Sequence, residues 1–166
     1  MPLKIKYIRK KITNMETIFS ITTNVRNQFL YFIEKYTLEQ LNTIPTGFSN
    51  NIIWNIGHCI VTQQTLIYKL SGLPMKVSDE FVNTYRNGTI PTGKTTQDEV
   101  DYIKSILFSS SEHIQEDFAK GIFVNFHEYT TKSTGFTMKN TVEAAEFNNF
   151  HEGIHLGIML QIRKFI

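Results

Sequence analysis

His151 and His155 stand four residues apart in the stretch Asn149-Phe150-His151-Glu152-Gly153-Ile154-His155-Leu156-Gly157, and they are two of only five histidines in 166 residues. On a helix, residues at i and i+4 share a face, so both imidazoles can reach one point. Phe147, Ile154, Ile158, Ile162 and Phe165 fall on the same side at about 100° per residue, which predicts that the pair faces the core. A lone core histidine is ordinarily just hydrogen-bonded. Two on one apolar stripe each need partners for their ring nitrogens, and one divalent ion can serve both. The two readings are therefore a metal site and a pair of satisfied core histidines.

His151-Glu152-Gly153-Ile154-His155 also has the form H-E-x-x-H, in which the glutamate of a zinc peptidase acts as general base. Such peptidases take a third ligand from downstream. Only eleven residues follow His155, and none is His, Asp or Glu. If the third ligand is not downstream it must come from another element, for which His58 is the best candidate, while solvated or structural roles suit His113 and His127. Three imidazoles leave a position open on Zn, Ni, Cu or Fe, as a catalytic rather than a closed structural site requires. Glu152 is then either a catalytic carboxylate near that ion or a surface or supporting one. Trp54, Asn55 and Thr62 share the side of their helix with His58 and are candidates for lining the pocket.

Four long helical patterns must position these groups. The first follows the capping-box form Thr13-Asn14-Met15-Glu16 and carries Ile18, Val25, Phe29, Phe32 and Tyr36, with residues 1–13 as a basic arm before it. A short turn is expected between Thr37 and Asn42. Ser49 or Asn50 can cap the second helix, which is expected to run to Ser71 and stop at Gly72. Ile52, Ile53, Ile56, Ile60, Ile67 and Leu70 make one apolar side opposite His58, so this helix should be buried on both sides. Leu73 to Thr95 reads as a long loop, with at most a short helix near Ser78 to Tyr85, and a loop of that length suits a site lid. Thr96 caps the third helix, which ends near Ala119. Ile122 to Thr131 is expected to be extended or part of a small hairpin, and Asn140 caps the fourth helix. The sum is one all-α domain over residues 1–166, an antiparallel four-helix bundle with a long second connection and a short extended segment or hairpin before the last helix.

Gly88-Thr89-Ile90-Pro91-Thr92-Gly93-Lys94-Thr95 spells the P-loop pattern. That chemistry needs a buried strand before the loop and a helix directly after it. The residues before Gly88 are too polar for such a strand, so the match is read as coincidence.

Composition excludes several classes. A net charge of +2 selects no nucleic acid or anionic membrane, and no run is long and apolar enough for a membrane-spanning helix. The single cysteine, Cys59, allows no internal disulfide and points to a reducing compartment, with the cytoplasm expected. The basic residues from Lys4 to Lys11 lack the apolar stretch of a signal peptide.

Trp54-Asn55-Ile56-Gly57-His58 resembles the W-x-x-G-H motif of the DinB-like (damage-inducible) family, and His151-Glu152-Gly153-Ile154-His155-Leu156-Gly157 resembles its H-E-G-x-H-x-G motif. Helix order, the long second connection and total length agree with it too. The resemblance implies a four-helix bundle, often a homodimer, with a divalent metal such as Zn or Ni held by His58, His151 and His155. It further implies a metal-dependent enzyme acting on a small molecule, a transferase using a low-molecular-weight thiol or a hydrolase. A non-catalytic ligand-binding or stress-related bundle dimer is the alternative. Gly153 and Gly157 lie away from the histidines and are expected to let a neighbouring helix approach.

Overall fold

The structure is a computed structural model that describes residues 2–166, with side chains from Met15 onward. Six helices and one small hairpin follow in order: α1 (Pro2–Lys35), α2 (Leu38–Asn42), α3 (Ile52–Ile67), α4 (Asp79–Tyr85), α5 (Gln97–Ala119), β1 (Tyr129–Thr130), β2 (Thr137–Met138) and α6 (Thr141–Ile162). Among the described residues the architecture is the expected all-α bundle, built from α1, α3, α5 and α6. Helix α1 begins at Pro2 rather than at Thr13, so its backbone runs through the expected basic arm. The side chains of residues 1–14, including that arm and the start of the Thr13 capping box, lie outside the described ones.

Contacts between helices set their directions. Phe19 meets Phe118 and Glu34 meets Lys104, so α1 and α5 are antiparallel. Asn55 meets His155 and Ser71 meets Thr141, so α3 and α6 are antiparallel too. By contrast, Gln64 reaches Ser110 and Tyr68 reaches Asp117, which makes α3 and α5 parallel neighbours. Parallel neighbours cannot be joined by a tight turn. The chain must travel back along the bundle, which is why the second connection is long. It is clamped at both ends: Lys76 N–H donates to Gln64 Oε1 at 2.8 Å, and Asn42 exchanges two bonds with the backbone of Thr95, at 2.7 and 2.9 Å.

Helix α3 is the buried axis. From Ile52 to Ile67 only Thr62 and Thr65 are not fully buried, in line with a helix covered on both sides. Its Ile52, Ile53, Ile56 and Ile60 share one cluster with Phe29, Phe32, Ile103 and Leu107 from the neighbouring helices, and each such side chain contributes about 1.5–3 kcal/mol on burial. The helix is capped by Asn51, one residue later than expected, whose side chain accepts from Trp54 N–H at 2.9 Å. Gly72 takes a left-handed φ of 72° to end the turn that follows α3.

Two expectations for α6 are corrected. Its core-facing residues are Thr141, Ala144, Ala145, Asn148, Glu152, Met159 and Ile162, so Ile154 and Phe165 of the expected stripe are exposed instead. Polar Asn148 and Glu152 occupy core positions because a buried arginine requires them there. Among the described residues Gly153 and Gly157 have nothing within 4 Å of where a Cβ would stand, so no described helix approaches them.

The expected extended segment shrinks to a two-residue pairing, Tyr129 with Met138 and Thr130 with Thr137. Gly88 to Thr95 follows a helix, not a strand, and the turn into α5 is closed by the Thr96–Glu99 capping box. The phosphate-loop context is absent.

Candidate metal centre

The antiparallel contact between α3 and α6 brings His58 against His151 and His155. Ring centroids lie 5.1 Å apart for His58 and His151, 4.8 Å for His58 and His155, and 4.5 Å for His151 and His155. One nitrogen from each ring lies within 4.8 Å of the others. Nitrogens about 2.0–2.1 Å from a tetrahedral ion are separated by about 3.4 Å, so an ion would draw the rings slightly inward. His113 and His127 are exposed and stand apart from the group.

Hydrogen bonds fix which nitrogens are available. His58 Nδ1 lies 2.7 Å from the backbone carbonyl of Tyr85. A carbonyl only accepts, so the proton sits on Nδ1 and the lone pair on Nε2. Asn55 donates its amide to Asn50 Oδ1 at 2.8 Å and to the Asn51 carbonyl at 2.7 Å. Its oxygen is therefore the atom facing His155 Nδ1 at 2.7 Å, and His155 likewise presents Nε2. A supported Nδ1–H and a free Nε2 are how proteins orient imidazole for a metal. Among the described residues His151 Nδ1 is buried with no hydrogen-bond partner. An orphaned buried nitrogen beside two aimed imidazoles fits a divalent ion.

Electrostatics agree with that fit, because ligands must be neutral. Burial, then the mutual repulsion of the charged forms, pushes His151 down to about 2 and His155 down to about 4. Burial also lowers His58, against the raising effect of the Tyr85 carbonyl. All three imidazoles are neutral near pH 7.

The other candidates divide. Trp54 stacks on His58 with centroids 4.8 Å apart and planes 7° from parallel. Asn55 orients His155. The Thr62 hydroxyl lies 3.3 Å from His58 Nε2 and, facing a lone pair, donates to it. Glu152 lies elsewhere. Fully buried, it accepts from Arg26 Nη2 at 2.9 Å and from Asn148 Nδ2 at 2.9 Å. It is not a surface carboxylate: its oxygens are engaged by Arg26 and Asn148, and the group of convergent ligand atoms holds the three imidazoles without it.

Sequence reasoning gave no role to Arg26 and Tyr85. Arg26 also donates to the Leu107 carbonyl at 2.6 Å, Ser110 Oγ at 2.7 Å and Gln63 Oε1 at 2.8 Å, so one guanidinium ties all four bundle helices together. Tyr85 acts through a backbone carbonyl, which no residue type announces.

None of the curated proteins compared with this chain matches it. The family model described as the DinB superfamily matches residues 21–159, a span that holds the whole histidine trio. By that match, joined to its helical bundle, the chain belongs to the DinB superfamily.

Proposed function

We propose that this protein is a metal-dependent enzyme acting on a small molecule, with Zn or Ni held by His58, His151 and His155. The observation that carries the reading is the convergence of three neutral imidazoles, two with Nδ1–H bound away from the centre and one with Nδ1 orphaned. A bound divalent ion would supply Lewis acidity at its open position, lowering the pKa of a thiol or water there.

The residues around the trio favour thiol transfer over hydrolysis. Glu152 is committed to Arg26, so it is not free to take a proton from an incoming nucleophile. Activation then rests on the ion, and a thiol with a pKa of about 8.5 needs less help than water. Thr62 would offer its hydroxyl to a group bound beside His58. The co-substrate in this reading is a low-molecular-weight thiol and the partner a small electrophile.

The protein is proposed to act as a homodimer in the cytoplasm. Phe150 and Ile154, 52% and 44% exposed, flank Gly153 and Gly157 on the outer face of α6. Among the described residues no helix is long and apolar enough to cross a membrane.

Elemental analysis of tag-free protein tests the reading. About one Zn or Ni per chain is expected, lost in His58→Ala, followed by turnover when thiols are screened with electrophiles. No metal after soaking with either ion would favour the non-catalytic bundle.

A further inference from the structure

A carbonyl at the end of α4 holds His58, and a glycine on α3 lets it come close enough. Tyr85 is the last residue of α4, where backbone carbonyls have no partner within the helix. Its carbonyl takes the proton of His58 Nδ1 at 2.7 Å, so each group satisfies the other. The Tyr85 ring lies flat against Gly57. A Cβ on Gly57 would stand 2.6 Å from Cδ1 of that ring and 2.7 Å from Cγ, distances real Cβ atoms essentially never show. The contact is with the root of a buried ring, which cannot swing away while Phe81 packs beside it at 4.7 Å.

Gly57 is a mid-helix glycine, which weakens a helix relative to alanine unless something needs the space. The ring of Tyr85 needs it. We infer that Gly57 and Tyr85 are positioning residues for the metal ligand His58: the glycine seats the ring, and the seated residue's carbonyl fixes the imidazole with Nε2 toward the other two histidines. The second connection is thereby coupled to the ion. Coupling of this kind is reciprocal, so metal binding must also hold α4 in place.

The inference rests on the metal reading, and the test separates the two. Zn affinity is measured by chelator competition for wild type, Gly57→Ala, Tyr85→Ala, the double variant and Tyr85→Phe, with helix content followed by circular dichroism. Gly57→Ala and Tyr85→Ala should each weaken Zn binding roughly 10- to 100-fold, the range seen when support for a metal-binding histidine is lost. The double variant should be no worse than the weaker single one, since the clash and the support share one ring. Tyr85→Phe, which keeps the ring and the carbonyl, should bind as wild type does.

Hydrogen exchange on wild type needs no variant to fold. Added Zn should slow exchange across residues 79–86. Wild-type binding with unchanged affinity in Gly57→Ala, or with no slowing over that segment, overturns this inference and leaves the metal site standing. No Zn binding by wild type overturns both.

Discussion

Arg26 and Glu152 form an ion pair of 2.9 Å in which the arginine side chain is 1% exposed and the glutamate 0%. The pair is also the reason α6 carries a carboxylate at a core position beside its first histidine. Breaking such a pair from one side leaves a buried charge unmatched. Glu152→Ala is therefore expected to cost about 3–5 kcal/mol in urea unfolding, whereas the joint replacement Arg26→Met with Glu152→Leu should cost far less. Glu152→Gln should keep its Zn stoichiometry, because no imidazole depends on the carboxylate. Loss of metal in a folded Glu152→Gln protein would return the residue to the site.

Asn55 and Thr62 should behave in opposite ways. Replacing Asn55 by Leu removes the acceptor of His155 Nδ1–H and should weaken Zn binding roughly 10- to 100-fold in chelator competition. Thr62→Val removes a hydroxyl that competes for the His58 Nε2 lone pair. Affinity should hold or rise slightly. A fall for Thr62→Val as deep as that for Asn55→Leu would show the hydroxyl supporting the ion instead of competing with it.

Stability of the metal-free protein should depend on pH in a defined direction. Histidine in an unfolded chain titrates near 6.5, whereas His155 and His151 are pushed down to about 4 and about 2 in the fold. Between those values the unfolded chain binds protons that the folded one refuses. Stability therefore falls as pH drops below about 6.5, by up to about 1.4 kcal/mol per pH unit for each fully resisting group, and is flat with respect to these histidines above about pH 7.5. Urea midpoints across this range measure the slope, which His151→Leu should reduce. An equal slope in that variant would mean that other groups set it.

Cys59 adjoins His58 in sequence but is 0% exposed, and burial pushes its thiol well up. It should be inert. A disulfide reagent at neutral pH is expected to label it only at the rate of global unfolding. Fast labelling of native protein would place the thiol at the surface.

The outer face of α6 makes the last prediction. Light scattering should give a dimer for wild type and a monomer for Ile154→Glu, with helix content unchanged. An oligomeric state that ignores the substitution would move the interface elsewhere.

The sequence by itself determined the helices, the caps at Thr96 and Asn140 and which three histidines come together. Thr96, Asn140 and the short helix from Ser78 could be placed because capping and turn chemistry are local, acting over three or four residues. The spacing of His151 and His155 set them on one face before any fold was known. The histidines do turn inward, but Ile154 and Phe165 of their stripe do not, and apolar periodicity says nothing of a guanidinium arriving from α1 that draws Asn148 and Glu152 into the core.

Only the tertiary structure decided the rest. The directions of the four helices make α3 and α5 parallel, and the long return this requires carries α4 across His58. The tautomers of His58 and His155 follow from a carbonyl 27 residues away and an amide 100 residues away. Such bonds are set by where the chain returns in space. A hydrogen bond to a backbone carbonyl has no signature in residue type, and the sole trace of this one in the sequence is the glycine preceding the histidine.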